Sequence, residues 1–443
     1  MYKRQSSVTS ATGIEKIVPN EVWVSVYSNG DLQKRILTAI AEDDVEIIGL
    51  KLSAGSGEDV IVSRIKISLD YTNTAVDSDF TNARLYIDIN GNGVYETGID
   101  VQIGSSITEP VSGAVVFSNI TGFTIPENKV TNIMLVLGHS GLSEGDGIRG
   151  IINNGWIESY GNYTGYTNAS TGAGQGILKK VPSLIYVSVV SNGDTTSTSL
   201  TYNAEPHKEI ILLRLSAGTG EDRIINRIKI SLAYNDGAVD SDFTNARIYY
   251  DLGVSGTYDT GVDIQIGNAI IAPASGVLVF SNITGFTISA NSATNILLVI
   301  GHRVMNNGEG VAGVVLNGWI ESYGEYTGIT NTSTGTGQGI RKEVPGDIYV
   351  SSLLIGDAGT PALSASPELN AEIIEVKLSA TLGEDIRITS MQISLAYGGV
   401  ADDSDFTNAR LFIDIDNDGV YDTGSDIYIG SDADVVNGII NIA

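Results

Sequence analysis

The sequence predicts an all-β protein, a tandem array of antiparallel β-sandwiches. Three observations lead there. Apolar and polar residues alternate at period two in one segment after another, turn formers separate those segments, and long blocks of sequence return at a fixed distance. Helix formers in helical spacing are scarce.

The repeat comes first, because it sets the boundaries. "DSDFTNAR" occurs three times unchanged, at Asp77–Arg84, Asp240–Arg247 and Asp403–Arg410, and 240 − 77 = 403 − 240 = 163. "SNITGFTI" occurs at Ser118–Ile125 and Ser281–Ile288, and "NGWIESYG" at Asn154–Gly161 and Asn317–Gly324. Val18-Pro19, Val181-Pro182 and Val344-Pro345 share the same offset and mark the junctions. The expected units are therefore 20–182, 183–345 and 346–443, each about 163 residues except the last, which stops short. That last unit lacks counterparts of His139 and Trp156. "TGIEKIVP" (Thr12–Pro19) resembles the repeat endings "QGILKKVP" and "QGIRKEVP", so residues 6–19 read as the tail of an earlier repeat. "MYKRQ" (Met1–Gln5) resembles a translated sequencing adapter and carries no structural expectation. The chain thus reads as a window on a longer array. Proline restricts the residue before it, so the Val-Pro junctions should be short and stiff.

Within a repeat, each strand shows one apolar face. "RIKISL" places Ile65, Ile67 and Leu69 on one side, and "ARLYIDI" does the same with Leu85, Ile87 and Ile89. "EIIGLKL" (Glu46–Leu52) and "TNIMLVL" (Thr131–Leu137) follow. Such alternation marks half-buried strands of antiparallel sheets. Turn residues every ~8–12 positions are the spacing of sandwiches and barrels. The count is roughly nine strands per repeat, more than a ~100-residue minimal sandwich uses. One enlarged sandwich per repeat is the simplest arrangement, and two small subdomains remain open.

Composition limits the function classes. The formal net charge is −27 and the pI about 4.3, which argues against nucleic-acid binding, a task that needs basic surface. Divalent cations suit such a chain. With 42% hydrophobic and only 17% charged residues it can build cores, so it is not an acidic disordered tail. The absence of cysteine removes disulfides, thiolate catalysis and Cys-ligated zinc. No apolar run is long enough to span a membrane as a helix.

The chemistry that stands out is "DINGNGVYETGID", Asp88–Asp100. Calcium takes six to eight oxygen ligands, and the EF-hand loop supplies side chains from its first, third and fifth positions with glycine sixth. Asp88, Asn90, Asn92 and Gly93 have that spacing, and Asp414, Asp416, Asp418 and Gly419 have it with three carboxylates. The carbonyl of Val94 or Val420 falls seventh, and Glu96 or Asp422 ninth. The twelfth-position glutamate of an EF-hand is missing, and the acid comes one place later, at Asp100 and Asp426. The middle repeat, "DLGVSGTYDTGVD", keeps Asp251 and Gly256 but puts Gly253 and Ser255 at the third and fifth positions. Calcium is therefore expected in repeats one and three and is doubtful in two. Asn-Gly pairs are also strong hairpin signals, so a plain turn is the competing reading. Chain direction suggests Glu58, Asp59, Glu384 and Asp385 as neighbours of the metal, against a role at turns or strand ends. Asp77 and Asp79 fall at the far pole, as a second cation site or as an Asx-turn with Phe80 anchoring the core.

No nucleophile elbow, Walker loop, zinc-protease motif or dinucleotide fingerprint is present, so an enzyme is not expected. His139 ("VLGH") and His302 ("VIGH") are repeat-equivalent and read as strand-end residues. The candidate ligand-binding surface is aromatic. Trp156, Glu158 and Tyr160 are expected on one strand face, repeated by Trp319, Glu321 and Tyr323, either stacking on sugars or plugging the core.

The stretch from "LSAGSGED" through "ARLYIDINGNGVYETG" resembles tandem Ig-like β-sandwich repeats of bacterial and archaeal cell-surface or secreted proteins with D-x-[DN]-x-[DN]-G calcium loops. The resemblance covers about half of each repeat. It implies an Ig-like or jelly-roll-like fold, calcium, and adhesion, surface-layer or stalk duty outside the cell. The expected function is a non-enzymatic, calcium-stabilised structural or adhesive array. The alternatives are a carbohydrate-binding accessory region of a secreted enzyme and a self-assembling filament or sheath subunit. Surface glycans or further copies of the chain are the partners these readings allow.

Overall fold

The computed structural model describes residues 16–353, 363–381 and 385–442. The adapter-like Met1–Gln5, most of the expected repeat tail, and Glu384 lie outside them. Strands dominate, and among the described residues the only helices are short 3-10 turns. No helix of the structure is long and apolar enough to cross a membrane.

The first unit contains β1 (Val22–Tyr27), β2 (Glu42–Ala54), β3 (Val60–Thr72), β4 (Phe80–Ile87), β5 (Val101–Ile107), β6 (Ala114–Phe117), β7 (Thr124–Ile125), β8 (Val130–His139), β9 (Gly147–Ile152), β10 (Ile157–Gly161), β11 (Thr167–Ala169), β12 (Gly174–Gln175) and β13 (Lys179–Lys180). One sheet runs β1-β2-β8-β4-β5 and the other β11-β10-β3-β9-β12, with β6 and β7 on β3 and β13 on β9. All named strand pairings are antiparallel. The strand count exceeds nine because pieces such as β7, β12 and β13 hold two residues each, too few to show a period.

Between the sheets lies one core. Leu50 and Leu52 of β2, Ile65 and Ile67 of β3, Leu85 of β4 and Leu135 of β8 all belong to it. Fully burying each such side chain contributes about 1.5–3 kcal/mol. Strand β8 is the centre of the first sheet: Leu135 pairs with Ile48 on one side and Leu85 on the other. The alternation of "RIKISL" places its apolar residues inward as expected. Ile89 does not follow its pattern: β4 ends at Ile87, and Ile89 is exposed.

The second unit repeats the architecture. Its first sheet consists of β14 (Ile185–Val190), β15 (Glu205–Ala217), β21 (Ala293–His302), β17 (Phe243–Tyr250) and β18 (Ile264–Ile270), in that order. Its second sheet centres on β16 (Arg223–Asn235), flanked by β22 (Gly310–Val315) and β23 (Ile320–Gly324). The third unit has three two-stranded sheets among the described residues: β27 (Ile348–Leu353) with β28 (Glu375–Ala380), β29 (Met391–Ser394) with β32 (Ile439–Ile442), and β30 (Ala409–Ile413) with β31 (Ile427–Ala433).

Adjacent units touch through polar joints. Glu144 accepts hydrogen bonds from the Leu184 amide at 2.5 Å and the Tyr186 hydroxyl at 3.0 Å. The Lys180 amine donates to the Gly220 carbonyl at 2.7 Å, and the Arg35 guanidinium lies 4.9 Å from the Tyr326 ring centre. At the next joint Asn307 stands in place of Glu144 and donates to Asp347 at 2.7 Å.

Candidate metal loops and aromatic surface

The loop between β4 and β5 is shaped by its first and last acids. Asp88 is buried, and its carboxylate accepts the amides of Gly91 (2.7 Å), Asn92 (3.2 Å) and Gly93 (2.9 Å) and the Tyr27 hydroxyl (2.7 Å). Asp100 accepts the amides of Ile89 (3.2 Å) and Glu96 (2.8 Å), closing the loop. The turn needs glycine at Gly93: its φ is +72°, and a Cβ there would sit 2.3 Å from the Asn29 carbonyl oxygen. Burial, then the Asp88 carboxylate, push the Tyr27 phenol up.

The other first-loop candidates pair with one another. The Asn90 and Asn92 side-chain amides donate to Glu96, and Val94 donates its N–H to Asn92 Oδ1 at 2.8 Å. Their oxygens are thus gathered into one loop, but largely engaged by its own donors.

The third-unit loop repeats the frame. Asp414 accepts Asn417 (2.7 Å) and Gly419 (2.9 Å), Asp426 accepts Ile415 (3.3 Å) and Asp422 (2.9 Å), and Val420 donates to Asp418 (2.9 Å). Here the spare groups are carboxylates. One oxygen from each of Asp414, Asp416 and Asp426 lies within 4.8 Å of the others, and the same holds for Asp416, Asp418 and Asp422. Asp416 belongs to both sets. Desolvation, then the charge of Asp418 and the proximity of Asp414 and Asp422, push the Asp416 carboxyl up. The Gly419 amide holds Asp414 below the usual carboxylate range. Five carboxylates with clustered oxygens fit a hard divalent ion. The first and second loops offer three carboxylates each, and the second also lacks the amide oxygens of Asn90 and Asn92: Asp251 and Asp263 keep the frame, and Ser255 merely bonds Asp259.

A residue missed by sequence reasoning anchors each loop. Glu46 of β2 accepts the Tyr95 amide at 2.8 Å, Glu209 that of Tyr258 at 3.1 Å, and Glu372 that of Tyr421 at 3.2 Å. Only the 163-residue spacing of the three glutamates could have flagged them.

Glu58 and Asp59 give their carboxylates to donors outside the loop. Glu58 accepts the amides of Tyr163 and Thr164 at 2.8 Å and the Thr164 hydroxyl at 2.6 Å, while Asp59 accepts the Glu127 amide at 2.9 Å. Both hold turns, and Glu221 does the same for Tyr326 and Thr327. Asp77 bonds the Tyr71 hydroxyl (2.8 Å) and the Gly113 amide (3.0 Å), and Asp79 the Val76 amide (2.8 Å). Phe80 is fully buried and stacks on Tyr71 at 5.2 Å. That is the turn-and-anchor reading, with these oxygens committed to protein donors.

The aromatic face needs correcting. Trp156 precedes β10 rather than sharing its outer face, because Ile157 begins the strand. Its ring packs against the core, with the Lys66 ammonium 4.6 Å from its centre. Trp319 repeats this with Lys229 at 4.3 Å. Tyr160 and Tyr323 remain exposed on the strand. His139 and His302 are buried at strand ends, each between a backbone carbonyl and a glutamate, Glu42 or Glu205.

No protein-family model matches the sequence. No curated protein matches it. Among solved structures, the chain is similar to the C-terminal domain of the Streptococcus agalactiae AgI/II polypeptide BspA, at 9% identity and a TM-score of 0.26, over 73% of this chain and 100% of that one. It is similar to the C-terminal domain of the Streptococcus pyogenes antigen I/II-family protein AspA, at 10% identity and a TM-score of 0.24, over 73% and 99%. A fucolectin from striped bass, Morone saxatilis, matches at 10% identity and a TM-score of 0.18, over 65% and 97%. The likeness is one of all-β architecture, and at these TM-scores it carries no functional argument.

Proposed function

We propose that the chain is a non-enzymatic structural or adhesive array outside the cell, stiffened by calcium at its acidic loops. One observation carries the reading: the third-unit loop gathers five carboxylates into two overlapping clusters that share Asp416. The recurrence of one sandwich with tight polar joints supports the structural part. Asp414, Asp416, Asp418, Asp422, Asp426 and the Val420 carbonyl would hold the ion in the third unit. Asp88, Asn90, Asn92, Glu96, Asp100 and the Val94 carbonyl would hold a weaker one in the first. The second unit binds none on this reading. At a free calcium concentration ten times Kd, one site adds about 1.4 kcal/mol of stability. Extracellular modules bind with Kd on the order of 10⁻⁴–10⁻³ M, so calcium outside a cell is sufficient.

The sugar-binding alternative loses its main support, because each tryptophan ring is packed on the core and approached by a lysine. Tyr160 and Tyr323 alone make a thin stacking platform. The test is a calorimetric calcium titration of the full chain beside Asp414→Ala and Asp416→Ala. The expected result is a strongest site lost in both variants, with small-angle scattering reporting a less flexible chain when calcium is bound. Unchanged heats in the variants would sink the third-unit site, and an unaltered scattering profile would sink the stiffening role.

A further inference from the structure

In the first two units the entering and leaving segments of each sandwich are fastened directly to each other. The first unit is entered along β1 and left through 171–181, and the two segments run side by side in the same direction. Thr171 bridges Trp23 in parallel, and further along Lys180 bridges Ile36 in the same sense. Four backbone hydrogen bonds make these bridges: Val24 donates to Thr171 (2.8 Å), Thr171 to Val22 (2.9 Å), Leu37 to Lys180 (2.8 Å) and Lys180 to Arg35 (2.9 Å). The second unit repeats all four, with Thr334 against Ile185 and Val187 and Glu343 against Thr198 and Leu200.

Between the bridges the two backbones nearly touch. A Cβ on Gly172 would sit 2.2 Å from the Val24 carbonyl oxygen, and one on Gly335 2.2 Å from that of Val187, so glycine is needed for this approach. A buried lysine then ties the leaving segment to the entering one. Lys179 donates to the Asp31 carbonyl at 2.5 Å, and Lys342 to those of Asp194 (2.7 Å) and Ser197 (2.5 Å).

Strand direction decides how such a pair answers tension. Antiparallel strands drawn apart from their adjacent ends separate one hydrogen bond at a time. Parallel strands drawn from opposite ends slide along each other, so their bonds must fail together. Tension along the array draws β1 backwards and the leaving segment forwards, which is the second case. The same tension shears β1 along β2, to which it is paired over six positions, from Val22 with Ala54 to Tyr27 with Gly49. We propose that each of the first two sandwiches is a tension-bearing module. The parallel pair of segments is its clamp, and Lys179 or Lys342 is the pin that holds the clamp shut. The clamp rests on the structural half of the function proposed above and needs no calcium.

The experiment stretches single molecules of the full chain in EDTA, so a failure of the calcium sites does not bear on it. The chain has no cysteine, and cysteines added at its two ends serve as unique handles. Two unfolding events are expected from the first two sandwiches, each releasing roughly 50 nm of chain, about 160 residues at up to ~3.6 Å apiece. A second pair of handles, Ser241→Cys with Ile271→Cys, grips the open end of the β17–β18 hairpin, where the Asn245 amide donates to the Ile271 carbonyl at 2.8 Å. That geometry unzips the hairpin. The end-to-end force should be roughly threefold larger or more, because forced unfolding follows the barrier to unfolding. Lys342→Met should lower the force of one end-to-end event by about a third or more and leave the hairpin force unchanged. Equal forces in the two geometries would overturn the clamp. End-to-end forces that ignore Lys342→Met, or a drop of equal proportion in both geometries, would overturn the pin.

Discussion

The loops Asp251–Asp263 and Asp414–Asp426 fold alike on different side chains. Each first aspartate accepts the amide of its sixth residue, at 3.0 Å in the second unit and 2.9 Å in the third. Each last aspartate ties both ends of the loop, and a glutamate from the neighbouring strand holds the tyrosine amide. The third and fifth positions then differ without consequence for the fold. The backbone frame and the ligand set are thus separate: two aspartates and a glutamate shape the loop, and the remaining positions decide what it can hold. The second unit departs from the first in two further places. Arg223 is buried where the first unit has Val60, and Val254 takes a φ of +54° where the first unit has Gly91 at +72°.

The largest break in the comparison should come from Glu221→Ala. It removes the acceptor of two amides and a hydroxyl and leaves Arg223, 3.7 Å away and fully buried, without its counter-charge. The cost should be about 3–5 kcal/mol. Glu58→Ala loses the same three bonds with no buried arginine beside it and should cost only about 1–3 kcal/mol. Urea unfolding separates the two, because Trp319 is the second unit's one tryptophan. Equal losses would show that Arg223 gains nothing from Glu221.

Next in size is Asp251→Ala. If the frame alone shapes the loop, removing the acceptor of the Ser255 and Gly256 amides should destabilise the second unit by about 2 kcal/mol with or without calcium. A cost that appears only with calcium present would overturn the separation of frame from ligand set.

A smaller effect concerns Lys342, buried and bonded to the Asp194 and Ser197 carbonyls, and its first-unit equivalent Lys179. Burial pushes both amines down to about 8 from 10.5. Between those values the unfolded chain holds protons the folded chain has released, so stability rises with pH, by at most roughly 1.4 kcal/mol per pH unit for each lysine. From about pH 10 the tyrosines work the other way, because burial and then neighbouring aspartates push up the phenols of Tyr27, Tyr71 and Tyr234. Urea midpoints should therefore climb from about pH 8 to about 9.5, and Lys342→Met should flatten the second unit's share of that climb. An unchanged slope would mean that the amine is not shielded from water.

The smallest effect should be a gain. β-branched residues rarely adopt positive φ, so Val254→Gly should stabilise the second unit by about 1 kcal/mol without restoring calcium binding. Thermal unfolding followed at Trp319 reads it directly, and a loss of stability would show that the Val254 backbone is relaxed.

Much of this molecule is legible from sequence because its signals are local or periodic. The inner face of β3 follows from alternation alone, whereas β8, central in its sheet, buries Ile133 to Leu137 on both faces and shows no alternation there; the loop spacing of Asp414, Asp416 and Asp418 is visible within five residues. What the sequence hides depends on partners distant along the chain. Glu46 meets Tyr95 49 residues later, and Glu58 meets Thr164 106 residues later. Chain direction alone points Glu58 at the candidate metal loop, whereas its carboxylate turns to the segment after β10. Alternation extended one residue past the turn that ends at Trp156 puts that ring on a strand face it does not occupy. Ile89 fails for the same reason at the other end of a strand. Periodicity gives the face of a residue inside a strand, but it does not say where the strand stops.

The joints between units have a mechanical consequence. Glu144 and Lys180 hold the first joint through individual polar contacts, while each sandwich is held by long strand ladders and a continuous core. Pulled from its two ends, such a chain yields first where the fewest bonds share the load. A joint that parts leaves the first two sandwiches intact on a short tether, ready to close again when the force falls, so this pair of units gives way in a small recoverable step before either of its cores is torn.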